Sequence, residues 1–242
     1  VPAWLGPALL DFQQFDMDIK AGTSVNVEYQ NWTLSQYDLA VSATPPMRLT
    51  YIGGTITYAA SGGTRNLAAP AGSPGDILLA VTLSSPTLPA APTGFYTIAS
   101  VTDGDSAAVR WKIATSDNEN VSFVGDYKGC VLLRLRPNKA VTSFIQATTF
   151  QFQLTDGNPG QQTQTVAGLA DCVLVIATSR QTSGVAAFSA ETPAFAHKID
   201  NTQPFLVGLQ IYNGDETKVN QVIDKLDQGS SNSLASVAIR IT

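Results

Sequence analysis

Residues 75–81 read Gly75-Asp76-Ile77-Leu78-Leu79-Ala80-Val81, and residues 170–176 read Ala170-Asp171-Cys172-Val173-Leu174-Val175-Ile176. Each is an acidic residue followed by an unbroken apolar run of strand length, far short of the roughly 20 residues that a membrane-crossing helix needs. The echo continues along the chain. Trp111-Lys112-Ile113-Ala114 answers Leu209-Gln210-Ile211-Tyr212, and Val131-Leu132-Leu133-Arg134-Leu135 answers Val237-Ala238-Ile239-Arg240-Ile241, at offsets of 95, 98 and 106 that keep their order. The pattern reads either as one Greek-key unit used twice, which is how a jelly roll is built, or as a chance likeness among apolar strand runs, and both readings leave the same fold class.

Outward from these strings the text is an all-β rhythm. Strands are predicted near 64–69, 76–83, 94–101, 107–114, 121–124, 129–136, 141–153, 164–168, 171–179, 185–190, 194–198, 204–212 and 234–241. They are separated by turn chemistry such as Ser73-Pro74-Gly75, Asp103-Gly104-Asp105 and Asp156-Gly157-Asn158-Pro159-Gly160. Residues 23–58 alternate in the same way, and Pro45-Pro46 is the strongest internal break. One amphipathic helix is expected between Asp215 and Gln228, because Val219, Val222, Ile223 and Leu226 recur at helical spacing with Gly229 as a stop.

The opening twenty residues differ. Trp4, Leu5, Leu9, Phe12 and Phe15 crowd an apolar arm that needs burial, either on its own domain or on a neighbouring subunit, and they are the expected docking residues. The predicted division is an N-terminal attachment segment over 1–60 and a β-sandwich over 61–242. The stretch Ser84–Gly94 is uncharged and stiffened by prolines; Pro86, Leu88, Pro89 and Pro92 make it a candidate recognition loop projecting from the surface.

Composition narrows the function. Lys and Arg number 14 against 19 Asp and Glu, the net charge is −5, and only 14% of residues are charged. No basic cluster exists to hold nucleic acid or an anionic membrane, and no membrane insertion is expected. The start at Val1, without Met or a basic leader, leaves the compartment open on composition alone. The single imidazole, His197, stands beside Lys198 with no G-x-S-x-G elbow anywhere. Cys130 and Cys172 each open an apolar strand and are expected as small buried hydrophobes rather than metal ligands or a bridge. No cofactor or metal is expected; Asp103-Gly104-Asp105 is only a weak calcium signal. Asp103, Asp105, Asp117, Glu119, Asp126, Asp171 and Glu191 are the carboxylates a glycoside hydrolase could draw on, but no strand aims two of them the same way. Trp32, Trp111, Tyr96, Tyr127 and Tyr212 could stack on sugars, although the alternation around Trp111 turns it inward.

The succession Pro74-Gly75-Asp76-Ile77-Leu78-Leu79-Ala80-Val81, Pro92-Thr93-Gly94-Phe95-Tyr96-Thr97-Ile98-Ala99 and Val109-Arg110-Trp111-Lys112-Ile113-Ala114 resembles a domain found in bacteriophage virion proteins and some bacterial surface proteins. Phe95 stands where that family often has Trp. The resemblance covers about residues 64–242. It implies a lectin-like jelly-roll antiparallel β-sandwich and a non-enzymatic structural role in a phage tail, fibre or appendage, or capsid decoration. The chain is then expected in the virion, assembled with other virion proteins and copies of itself, with host-surface glycan as a further partner. A carbohydrate-binding module of a secreted or surface protein is the alternative, and a glycoside hydrolase the remote one.

Overall fold

The structure, a computed structural model, describes residues 46–155, 161–167, 172–181, 184–199, 202, 204–214, 218–225 and 232–242. The chain divides into Val1–Pro45 and Pro46–Thr242, so the break falls at Pro45-Pro46, and residues 49–58 are part of the sheet assembly. Trp4, Leu5, Leu9, Phe12, Phe15 and Trp32 lie outside the described residues.

Every regular element among the described residues is a strand. A first run comprises β1 (Leu49–Tyr58), β2 (Arg65–Ala68), β3 (Ile77–Ser84), β4 (Tyr96–Asp103), β5 (Asp105–Ile113), β6 (Asn120–Phe123) and β7 (Tyr127–Pro137). A second comprises β8 (Phe144–Gln146), β9 (Gln151–Thr155), β10 (Gln161–Ala167), β11 (Cys172–Arg180), β12 (Phe188–Thr192), β13 (His197–Ile199), β14 (Phe205–Tyr212), β15 (Lys218–Lys225) and β16 (Asn232–Ile241). The first run builds a large antiparallel sheet in the order β1-β7-β3-β5-β4 and a separate β2-β6 pair. The second builds β9-β16-β11-β14-β13, with β8 also on β16, and a small sheet β10-β15-β12.

The two runs therefore share one plan. In each large sheet the last strand of the run lies between an early edge strand and the apolar strand, β7 between β1 and β3 and β16 between β9 and β11. The far edge is a hairpin partner, β4 of β5 and β13 of β14. The register carries the echo residue by residue: Ile77 faces Leu135 across β3 and β7, and Cys172 faces Ile241 across β11 and β16, at the sequence offsets of 95 and 106. For the remaining pair, Leu79 faces Trp111 and Leu174 faces Ile211, so Trp111 corresponds to Ile211 rather than to Leu209. A two-residue slip leaves every side chain on its own face. The repeated unit is larger than expected, since each copy carries its own large and small sheet.

The large sheets pack face to face through Leu79, Val81 and Leu133 from one and Leu174, Ile176 and Ile239 from the other. Their outer faces are covered too. Leu78, Ala80 and Leu132 pack beneath Leu67, Val121 and Phe123 of the β2-β6 pair, while Val173, Val175 and Ala238 pack beneath Val166, Val219 and Ile223 of the other small sheet. This four-layer arrangement is why the runs that open β3 and β11 do not alternate: both faces of these strands are core.

The helix expected between Asp215 and Gln228 is not present; Lys218–Lys225 is strand β15, hydrogen-bonded between β10 and β12. Val219, Val222 and Ile223 fit a helical stripe, but the buried set is Val219, Gln221 and Ile223, which has period two. Two flanking strands supply ladder partners, and β-branched residues suit them. Asp215, Leu226, Gln228 and Gly229 lie outside the described residues. The single strand expected over 141–153 is likewise divided, because the Thr148 hydroxyl takes the Ala238 amide at 2.9 Å and interrupts pairing between β8 and β9.

Leu79→Ala and its counterpart Leu174→Ala are each expected to lower the free energy of unfolding by about 2–5 kcal/mol, since both empty the same inter-sheet layer. Urea denaturation measures this, and a cost near zero at either site would contradict the shared core.

Candidate functional site

The acidic residue that opens the motif is a structural keystone at the end of the first large sheet. Gly75, with φ of +92°, lets Ser73-Pro74-Gly75-Asp76 turn back on itself, and the Ser73 amide donates to Asp76 Oδ2 at 2.8 Å. The turn is held to the end of β5 by the Gly75 amide on Ala114 O and the Ala114 amide on Asp76 O. Asp76 itself is 2% exposed. Across the sheet, Arg136 donates from Nε to Asp76 Oδ1 at 2.8 Å and from Nη2 to Oδ2 at 2.9 Å, a two-pronged grip.

Arg134, two residues back on the same face of β7, is completely buried and lies 3.6 Å from Asp76 Oδ2. Its Nη atoms donate to the carbonyls of Asp117 and Ser116 at 3.1 Å. Gly72 is required beside them, since a Cβ there would fall 2.3 Å from Arg134 and 2.4 Å from Asp76. The Arg136 hydrogen bonds hold the Asp76 carboxyl below the usual carboxylate range, against the opposing effect of burial.

Beside this cluster opens a cleft of about 460 Å³, walled by Ser73, Pro74, Ile113, Arg136, Asn138 and Val141. Asn138 is fixed by the Arg48 amide on its Oδ1 at 2.8 Å and by its Nδ2 on Pro46 O at 3.1 Å. Along β5 from Ile113 runs a line of rings. Trp111 stacks on Phe144 with centroids 4.1 Å apart, and Tyr96, 67% exposed on the edge strand β4, lies 5.8 Å from Trp111. Trp111 is half-buried against the inter-sheet core. Tyr127 and Tyr212 are buried and offer no platform.

The proline loop does not project. Ser106 Oγ donates to Pro86 O at 2.9 Å, Arg110 Nη2 to Pro89 O at 2.6 Å and Tyr127 OH to Ala90 O at 2.7 Å, strapping the segment to the sheet. Pro92 is buried, Leu88 and Pro89 are half-buried, and Pro86 is exposed. Arg110, 1% exposed, meets Thr82, Thr97, Tyr127 and this carbonyl, so neutral oxygens satisfy a buried guanidinium.

The other candidate groups are dispersed. Asp105 is buried in ion pairs with Arg180 at 2.7 Å and Lys128 at 3.6 Å, tying β5 of the first run to β11 of the second. Glu119 holds Lys112 at 2.6 Å, and Glu191 holds Lys198 at 2.9 Å. Burial of Glu119 opposes its ionisation, but Lys112 and Thr115 outweigh that and bring its carboxyl down to about 2. Asp103, Asp117 and Asp126 are exposed, and Asp171 lies outside the described residues. Gly104, with φ of +75°, makes Asp103-Gly104-Asp105 the β4-β5 hairpin turn.

His197 packs tilted against Tyr51 with centroids 3.9 Å apart, and its partial burial lowers its pKa and favours the neutral ring. Cys130 and Cys172 are both buried, and burial pushes the Cys130 thiol well up. Among the described residues no three His, Cys, Asp or Glu side chains converge to hold a metal ion.

Arg134, Arg136, Asn138 and Val141 escaped the reading of the sequence. The signal for the arginines is their interruption of an apolar run at alternate positions, Arg134-Leu135-Arg136.

No protein-family model matches the chain, and no curated protein or solved structure matches it. Fold and site define an all-β protein of several antiparallel sheets, with a repeated strand plan and a clamped acidic turn beside a cleft.

Asp76→Asn is expected to cost about 3 kcal/mol or more, because it leaves the buried Arg134 without a carboxylate. Both Asp76 and Glu119 have folded-state pKa values below their unfolded ones. Their contribution is therefore complete above about pH 5 and is lost as pH falls toward 2. Urea midpoints measured across that window should drop steeply in the parent chain and less steeply in Asp76→Asn.

Proposed function

We propose that the chain is a non-enzymatic structural component of a bacteriophage particle, a tail, fibre or capsid-decoration part, whose sandwiches follow jelly-roll order. The observation that carries this reading is where the motif residues sit. Asp76 anchors the turn, and Gly94 takes φ of +82°. Phe95 is buried under the small sheet and lies 5.8 Å from the Lys112 ammonium. Trp111 packs on the inter-sheet core. Each builds the frame, which supports a module used as a construction element.

The strand order supports the jelly-roll assignment as well. A last strand returning between two earlier strands, β7 between β1 and β3 and β16 between β9 and β11, supports a Greek-key return made once in each run. Burial on both faces of both large sheets supports a stiff part suited to mechanical load. In this reading the arm bearing Trp4, Leu5, Leu9, Phe12 and Phe15 docks on a neighbouring subunit. Burying four such side chains contributes on the order of 6–12 kcal/mol before ordering costs, enough to sustain an oligomer.

Light scattering over a concentration series is the test. The full chain is expected as a defined oligomer, and deletion of residues 1–20 is expected to give a monomer with an unchanged far-ultraviolet circular dichroism spectrum. A monomeric full chain, or loss of the β-spectrum on deletion, would overturn the docking arm.

A further inference from the structure

The cleft beside Asp76 lies across the ends of three strands of the first large sheet. Ser73–Asp76 leads into β3, Ile113 closes β5, and Arg136 and Pro137 close β7, with Ile77 facing both Ile113 and Leu135 in the register. A residue of the inter-sheet face, Ile113, and one of the outer face, Arg136, therefore line the same cavity. Arg136 and Ser73 bring polar atoms to it, while Pro74, Ile113 and Val141 form an apolar wall on which Ile113 is 38% exposed.

Charge at this corner is not balanced. Asp76 answers two guanidiniums with one carboxylate. Its oxygens take Nε and Nη2 of Arg136 at 2.8 and 2.9 Å. Arg134 stands at 3.6 Å, sends its Nη atoms to neutral carbonyls and keeps a buried Nε with no hydrogen-bond partner. One positive charge is left over, and so are donors. With Nε and Nη2 turned to Asp76, the planar guanidinium directs Nη1 away from it, and Nη1 has no acceptor among the described residues. Ser73 Oγ accepts from Arg136 Nη2 at 3.1 Å, so its own O–H stays unspent beside the same guanidinium. The Arg136 side chain is 46% exposed.

Two unspent donors and one surplus charge, fixed in place by a buried carboxylate, make a preorganised seat for a monoanion. A dianion such as a phosphate monoester overshoots the surplus, and stripping its water against an apolar wall costs more. A carboxylate carries the single charge, and a compact apolar group joined to it covers the exposed Ile113. A cleft of about 460 Å³ has the size of a small-ligand site.

We propose that this cleft binds a free carboxylate attached to a compact apolar group, with its oxygens on Arg136 Nη1 and Ser73 Oγ and its apolar part against Pro74, Ile113 and Val141. A small organic acid and the carboxyl terminus of a peptide ending in an apolar residue share that chemistry. The inference goes beyond the assembly role and does not depend on it, because every residue it uses lies within one end of the first large sheet.

Isothermal titration calorimetry of the full chain with 3-phenylpropanoate and with the peptide acetyl-Gly-Gly-Leu tests it, each beside its own amide, with inorganic phosphate as a second anion. At least one acid is expected to bind about tenfold or more tightly than its amide and than phosphate, with affinity falling as salt rises. Whichever acid binds more tightly identifies the source of the carboxylate. Ala140, exposed on the cleft wall, makes none of the Asp76 contacts. Ala140→Trp is expected to block the acid without moving the thermal midpoint, and Arg136→Gln to erase the preference for acid over amide. Failure of both acids to bind, equal affinity for acid and amide, phosphate binding as tightly as the acids, or binding indifferent to Ala140→Trp would overturn the proposal.

Discussion

The apolar layer between the two large sheets is the constraint on which the rest depends. A sheet that is apolar on both faces cannot stand in water, and both large sheets are of this kind. Pairing them covers one face of each. The other faces need separate covers, which β2-β6 and β10-β15-β12 provide. The small sheets are thus consequences of the central layer, and so is the conversion of Lys218–Lys225 into a strand: the outer face of β11 needs a lid, and β15 is the middle of it.

The two copies have filled the same plan with different polar interiors. In the first run the largest buried polar side chains are guanidiniums: Arg110 under the proline loop and Arg134 beside Asp76. In the second they are neutral amides. Gln164 donates to Ser236 O at 3.0 Å, Ser236 Oγ donates to Gln162 at 2.6 Å, and Gln162 donates to Leu234 O at 3.1 Å, so the small sheet is stitched to β16. An amide network satisfies itself without net charge. A buried arginine leaves a positive charge to be answered, and for Arg134 the answer is the Asp76 carboxylate 3.6 Å away.

Legibility followed the range of the interactions. The apolar runs, the turn glycines and the alternation of β10, with Gln162, Gln164 and Val166 inward, are properties of neighbours in sequence, and most strands lie within a few residues of where the pattern places them. The candidate site was half legible. Asp76, Trp111 and Tyr96 stand in the quoted motif, and Tyr96 meets Trp111 through the short β4-β5 hairpin. Arg136 joins Asp76 from sixty residues away through the register of the first sheet, and Phe144 joins Trp111 from the other run through the packing of the two large sheets.

By itself the sequence determined the all-β class, the echo between the two runs and the burial of both cysteines, because periodicity, turn chemistry and self-similarity are local and additive. Tertiary structure decided that each repeat forms its own pair of sheets, that Val219, Val222 and Ile223 belong to a strand, that the proline loop is strapped down, and that an acidic turn becomes the wall of a cleft. The physical reason is common to all four. Each turns on which surface is left to be covered, and that is known only when the large sheets have met.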